Sequence, residues 1–375
     1  MTTFFKDHAD KFKFGWEAEL MITDNNFNPL FGDTMPFGVL RDTLSAMPVP
    51  DIDYLLEKYV GSGLRPYYIE GYDADYYEDR TTRLDVKGVE IRTPITFSIE
   101  DSVRSFETLY KDLQKRLRLL DLEVCCFGNH PFQKAYIGAR GHRDIIGWAS
   151  AEVAMTTQGL AINISLPDAL EVDLDREALN LRFSYAAPVM VLLAANTPFR
   201  KGELWRPSGR QAYSDRSYRR TFVRNTIYYR DDQHHRKEIT LFDMTNDLAM
   251  HVAYAALSLG IVLSKEPVPV VPDRFSKENV RQAALLGYDA VFIDRHFDVS
   301  APQDVASRVL TLAGVALEHH GFGAHYLAPL WRLVEAREVQ AQNTLDAFHE
   351  LGSIQGVLRS RANLLTSAVE VFMSA

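Results

Sequence analysis

The chain has 375 residues, of which 46% are hydrophobic and 24% charged, enough to bury a full core in one large domain or two ordinary ones. A net charge of −9 disfavours a nucleic-acid partner, and the two cysteines, adjacent at Cys125 and Cys126, give neither a disulfide framework nor a zinc signature. No apolar run approaches the roughly 20 residues that span a bilayer, and residues 1–13 lack the apolar core of a signal peptide, so a cytoplasmic protein without a membrane partner is expected.

Residues 14–21 read as a strand, with Trp16, Ala18 and Leu20 on one face and Glu17 and Glu19 on the other. Two such carboxylates repel unless a cation, a proton or a basic partner lies between them. A wet edge strand and a ligand-facing strand both fit this pattern. A turn over 23–29 and a short helix over 38–46 follow. The stretch 67–80, dense in tyrosine and acid, reads either as a pair of strands or as a long loop over a pocket. Residues 88–94 form a strand stopped by Pro94, with Glu90 and Arg92 on one face.

A helix is expected over 98–120, starting near Ser98, with Glu100 and Asp101 in its first turn and Val103, Phe106, Tyr110, Leu113 and Leu117 at helical spacing. Residues 122–127, including both cysteines, read as a buried strand. Another strand over 160–168 places Ala161, Asn163 and Ser165 on one face, and an apolar helix over 176–193 succeeds it. The segment 200–236 is basic, which in an acidic protein suggests a site for a phosphorylated or carboxylate ligand. Residues 237–243 form a strand with Glu238, Thr240 and Phe242 on one face. From 247 the chain turns helical, over 248–263, 277–286 and 304–319, with one or two long amphipathic helices from 326 to the end. Strands separated by helices and a helical final third predict an α+β fold with a sheet-lined site.

Four strands thus carry polar residues on one face: Glu17 with Glu19, Glu90 with Arg92, Asn163 with Ser165, and Glu238 with Thr240. Such oxygen ligands suit a hard cation such as Mg²⁺, and guanidinium groups fit phosphate oxygens. The chain has no Gly-rich phosphate loop of either common type. His234-His235 and His319-His320 lack metal-ligand spacing with partners, and Ser208 and Ser214 lack a triad context.

Several segments, in order, resemble the carboxylate–amine ligases of the second glutamate–cysteine ligase family. They are Gly15-Trp16-Glu17-Ala18-Glu19, Val89-Glu90-Ile91-Arg92-Thr93-Pro94, Gly128-Asn129-His130-Pro131-Phe132, residues 159–168, residues 193–199 and Glu238-Ile239-Thr240-Leu241-Phe242-Asp243. The resemblance covers most of residues 14–263; beyond that it rests only on helicity. It implies a glutamine synthetase-like fold: a curved, mostly antiparallel sheet lining the active site, helices on the outer face and a helical C-terminal third. The whole chain, 1–375, would form one ligase-like domain, with a sheet-containing catalytic portion over 1–275 and a helical portion over 276–375. The implied activity is that of an ATP-dependent carbon–nitrogen ligase. It would form a γ-glutamyl-type amide through an acyl phosphate, with small-molecule carboxylate and amine substrates and ATP plus Mg²⁺ or Mn²⁺ as cofactors. A homo-oligomer is compatible with this.

By motif position, Glu17, Glu19, Glu90 and Glu238 match metal-binding acids, and Arg92 and Arg210 match catalytic arginines. Asn163, Arg210 and Arg236 would serve the nucleotide, and His130 would be a structural hydrogen-bonding residue beside the site. Two positions depart from the family pattern. Thr240 stands where relatives carry an arginine, leaving Arg236 to substitute for it on the same face, and Ala161 replaces a polar residue. The alternative implied by Thr240 is a non-catalytic relative that binds a nucleotide or amino acid and acts through protein contacts. A phosphotransferase releasing a stable phosphorylated product is a third reading.

Overall fold

The computed structural model describes residues 6–47, 66–74, 83–133, 151–221, 226–231 and 234–366. Strand β1 (Lys13–Asp24) leads through helix α1 (Phe37–Ser45) to the antiparallel pair β2 (Tyr67–Ala74) and β3 (Arg83–Arg92). Helix α2 (Ile99–Arg118), strand β4 (Leu122–Cys125), the short helix α3 (Ala151–Thr156) and strand β5 (Gly159–Ser165) follow. After α4 (Asp168–Val172) and α5 (Arg176–Ala194) comes a small hairpin, β6 (Phe199–Arg200) and β7 (Glu203–Leu204). Helix α6 (Asp215–Arg220) then precedes β8 (Ile227–Arg230) and β9 (Arg236–Asp243). The remainder is helical: α7 (Leu248–Leu263), α8 (Asp273–Leu286), α9 (Pro302–His319), α10 (Ala328–Ala336), α11 (Gln340–Leu351) and α12 (Ile354–Arg361). A minor hairpin, β10 (Phe292–Ile293) and β11 (Val299–Ser300), lies between α8 and α9.

One curled antiparallel sheet organises these elements, in the order β2-β3-β1-β5-β9-β8, with β4 pairing the far end of β1. Alternation along each strand separates two faces. Trp16, Ala18, Leu20, Val89, Ile91, Leu160, Ile162, Ile164 and Ile239 enter one continuous apolar core with α2, α5 and α7. Helix α7 is apolar on every side and all 16 of its residues are buried, as a central helix requires. Helix α2 begins where expected: the Ser98 hydroxyl accepts from the Asp101 amide at 3.0 Å, and Val103, Phe106, Tyr110, Leu113 and Leu117 are buried. Cys125 and Cys126 are buried and unbridged.

Three expectations need correction. Phe242 does not share a face with Glu238, because Thr240 and Leu241 both oppose Ala161 in a β-bulge: Leu160 pairs with Phe242 and Ile162 with Ile239. The extra residue turns Phe242 into the core, where its ring stacks on Tyr254 of α7 at 4.3 Å. Secondly, the described residues after 326 form three short helices instead of one or two long ones. Left-handed backbone at Arg337 (φ 55) and Gly352 (φ 66) ends α10 and α11, and the Ser353 hydroxyl caps α12. Thirdly, the tyrosine-rich stretch contributes one strand up to Ala74, while 75–80 lie outside the described residues.

The helical end of the chain folds back onto the sheet portion. The Ala362 carbonyl accepts from the Tyr110 hydroxyl at 2.8 Å and from Gln114 Nε2 at 2.6 Å. The Leu365 amide donates to the Asn246 carbonyl at 2.8 Å.

Candidate active site

The sheet face opposite the core carries a row of charged side chains, aligned because the strands pair in register. Glu17 stands opposite Arg92, and Glu19 opposite Glu90. Glu90 in turn faces Tyr68, Asn163 faces Glu238, Glu238 faces Tyr228, and Arg236 faces Arg230. Residues from six strands thereby share one surface.

Each carboxylate of the row meets a cation. Arg92 Nε lies 2.5 Å from Glu90 Oε1, and the Arg92 guanidinium sits over the Tyr68 ring, 4.0 Å from its centroid. Arg236 Nη1 lies 2.6 Å from Glu17 Oε1 and donates to Asn163 Oδ1 at 3.0 Å, while Asn163 Nδ2 donates to Glu17 Oε1 at 3.4 Å. Glu238 Oε2 is 3.1 Å from Arg230 Nε and 3.6 Å from Arg236 Nη2. Glu19 lies between Lys87 Nζ at 3.0 Å and Arg220 Nη1 at 3.6 Å. Among the described residues, no three His, Cys, Asp or Glu side chains converge closely enough to hold a metal ion.

These surroundings split the acids. Burial pushes Glu17 up, but the guanidiniums of Arg92 and Arg236 outweigh it and hold its carboxyl below the ordinary glutamate range. Burial pushes Glu90 well above that range despite Arg92, with Glu70 and Glu17 adding repulsion. Arg92 is held well above its ordinary range, because Glu90 and Glu17 overcome its own burial.

A second layer braces the end of β9. Asp243 Oδ2 accepts from Ser214 Oγ at 2.8 Å, the Asn196 amide at 2.9 Å and Thr197 Oγ1 at 3.1 Å; Oδ1 accepts from Ser217 Oγ at 3.0 Å. Arg216 donates to the bulge carbonyls of Thr240 at 3.1 Å and Leu241 at 3.3 Å, and pairs with Asp243 at 3.4 Å. It lies over Gly159, where a Cβ would come within 2.0 Å of Arg216 Nη2. A guanidinium thus stands beside position 240, supplied by α6 and engaged with backbone. His130 Nδ1 accepts from the Gln133 amide at 3.0 Å, and burial lowers this imidazole to about 4, so it stays neutral.

Arg210 is not brought to the row. It is exposed, just after the 3₁₀ turn Pro207–Gly209, and no hydrogen bond or ion pair links it to the described acids. The residues that sequence reasoning missed are Lys87, Tyr68, Arg220 and Arg230. Arg220 and Arg230 sat unresolved in the basic segment, and a bulge hides Lys87. A cavity of about 400 Å³ adjoins the row through Arg220, between α5, α6, α8 and the β8–β9 edge, lined by Ser184, Arg216, Tyr229, Thr240 and Ser276 among others.

The model of glutamate–cysteine ligase family 2 matches residues 51–343, most of the chain, and the chain belongs to that family. It is an ATP-dependent carboxylate–amine ligase, a carbon–nitrogen ligase with a fold of the glutamine synthetase-like kind. The match reaches further into the helical portion than the motif resemblance does, and it starts after Glu17 and Glu19, which join the site through strand register. Among solved structures the fold is similar to the glutamate–cysteine ligase of Francisella tularensis in complex with AMP, at 10% identity and a TM-score of 0.64, covering 94% of this chain and 88% of that one. It is also similar to the ligase PafA in complex with the prokaryotic ubiquitin-like protein Pup, at 12% identity and a TM-score of 0.55, covering 98% and 70%. A bifunctional glutathione synthetase from Pasteurella multocida shares 14% identity and a TM-score of 0.56, covering 96% of this chain and 53% of that one. No curated protein sequence matches the chain. No helix among the described residues is long and apolar enough to cross a membrane.

Proposed function

We propose that the ligase activates the carboxylate of glutamate or a similar amino acid and joins it to a small-molecule amine as a γ-glutamyl-type amide. The observation that carries this is the row itself. Glu17, Glu90 and Glu238 each lie 2.5–3.1 Å from an arginine nitrogen on one face of a sheet. Such a face can hold two anions, a carboxylate and a triphosphate, side by side. A carboxylate oxygen attacks the γ-phosphorus of ATP, the bond to ADP breaks, and an acyl phosphate forms. The amine nitrogen then attacks the acyl carbon, phosphate departs, and the nitrogen loses a proton.

In this reading Arg92, fixed between Glu90 and Tyr68, orients the substrate carboxylate and stabilises charge on the transferring phosphoryl group. Asn163 and Arg236 hold the nucleotide phosphates, and Arg210, outside the row, has no part in it. The donor chemistry of Glu17, Glu19, Glu90 and Glu238 fits a hard divalent cation, Mg²⁺ or Mn²⁺, which when bound neutralises phosphate charge. Stacking of Arg92 on Tyr68 fixes the orientation of its planar fork toward two oxygens. A cytoplasmic setting goes with a supply of ATP. The test is ADP release with a panel of amino-acid carboxylates and amines. Release should require both a divalent cation and an amine. No turnover across the panel with either Mg²⁺ or Mn²⁺ would overturn the reading.

A further inference from the structure

Strict alternation would send Lys87 into the core beside Val89 and Ile91. It does not go there. Glu70 pairs with Gly88 and Gly71 with Val86, so Lys87 is the extra residue of a bulge in β3. The bulge turns its side chain onto the charged face while Val86 keeps its place in the core. There the ammonium is 3% exposed as a residue and meets four oxygens. It lies 3.0 Å from Glu19 Oε1 and 3.7 Å from Glu70 Oε1, and donates to the carbonyls of Thr157 at 3.0 Å and Ala154 at 3.1 Å.

An ammonium has three protons, and Glu19, Thr157 and Ala154 take all three. Moving it would take this donor from the buried Thr157 carbonyl and the part-buried Ala154 carbonyl and leave Glu19 only Arg220, which makes its departure costly. The row's other cations differ. The side chains of Arg92, Arg230 and Arg236 are 29%, 44% and 12% exposed, and Arg220, 8% exposed, stands farther from Glu19, at 3.6 Å, than Lys87 does.

We propose that Lys87 is a built-in cation that permanently holds the Glu19–Glu70 end of the row, so that this end takes no divalent ion. Lys87 is a positioning residue: it touches neither substrate nor reacting atoms. The inference rests on the metal reading above and removes Glu19 from it.

Bound Mn²⁺ per full-length chain, counted from the loss of the free-ion EPR signal with and without ATP, separates the two. Glu17→Gln should weaken Mn²⁺ binding about tenfold or more, whereas Glu19→Gln should leave both count and affinity within about twofold. Folded Lys87→Ala should gain one Mn²⁺ per chain, in the cradle that the ammonium vacates. Weakening by Glu19→Gln as large as that by Glu17→Gln would overturn the inference and leave the metal reading standing. A folded Lys87→Ala protein with no added Mn²⁺ would overturn it equally. If Lys87→Ala does not fold, the comparison of Glu19→Gln with Glu17→Gln decides alone. A wild-type chain that binds no Mn²⁺ would overturn the metal reading, and this inference with it.

Discussion

At the scale of single residues, the site is a set of carboxylates whose charge is met from several directions. Glu90 and Arg92 make the sharpest case. Burial already favours the neutral form of Glu90, so removing Arg92 leaves an acid that can take up a proton instead of a stranded charge. Arg92→Met should therefore leave the protein folded while lowering kcat by about two to three orders of magnitude, the loss typical of a missing transition-state donor. Arg92→Lys should restore only part, since an ammonium cannot match the planar fork over Tyr68. Retention of activity within about tenfold in Arg92→Met would remove this residue from the mechanism. For Glu17→Gln and Glu238→Gln, loss of ADP release in a protein that remains folded is expected; full activity in either would displace the site.

At the scale of elements, two bulges shape the charged face, and neither shows in a hydropathy pattern. The bulge in β3 turns Lys87 onto that face, and the one opposite Ala161 turns Phe242 away from it. Gly88, next to Lys87, is the residue that allows β3 to lie so close to β1. A Cβ there would come within 2.1 Å of the Leu20 carbonyl oxygen, which is backbone and cannot rotate aside. Gly88→Ala should lower stability by about 1–3 kcal/mol and disturb the Glu19–Glu90 pairing, so activity should fall more than the melting temperature alone explains. Chemical denaturation together with ADP release measures both. An alanine variant as stable and active as the wild type would show that the strands have room to part.

At the scale of the whole molecule, buried titratable groups tie folding to pH. His251 Nε2, in α7, carries the proton and donates to the Thr245 carbonyl at 2.8 Å. Burial lowers both His251 and His130 to about 4, while the unfolded chain protonates near 6.5. The unfolded state therefore binds protons first as pH falls, and stability is lost between about 6.5 and 4, at most about 3 kcal/mol for each histidine. Glu17, held low, adds a further loss at more acidic pH. Glu90, held high, acts in the opposite sense, its contribution fading as pH rises above the ordinary glutamate range. The melting temperature should drop from pH 7 to pH 5, and less so in His251→Gln. An unchanged melting temperature over that interval would contradict the neutral, buried state of both rings.

The local and periodic features were legible in the chain itself. Alternation in residues 14–21 determined which side of β1 is apolar. Helical spacing with a serine cap determined α2, and uninterrupted hydrophobicity determined α7. Six ordered segments indicated the family and with it the class of reaction. Such features depend on near neighbours, where sequence distance and spatial distance agree. Gly352-Ser353, a helix stop followed by a cap, is a local signal of the same kind. Strand register, by contrast, is a relation between segments far apart in the chain. Only the tertiary structure decided that Glu17 faces Arg92, that Asn163 faces Glu238, that Arg220 reaches Glu19 from a helix, and that Arg210 stays outside. Lys87 shows the reason most plainly. One unpaired residue reverses the side to which a side chain points, and that residue is defined by the strand opposite, not by its own sequence.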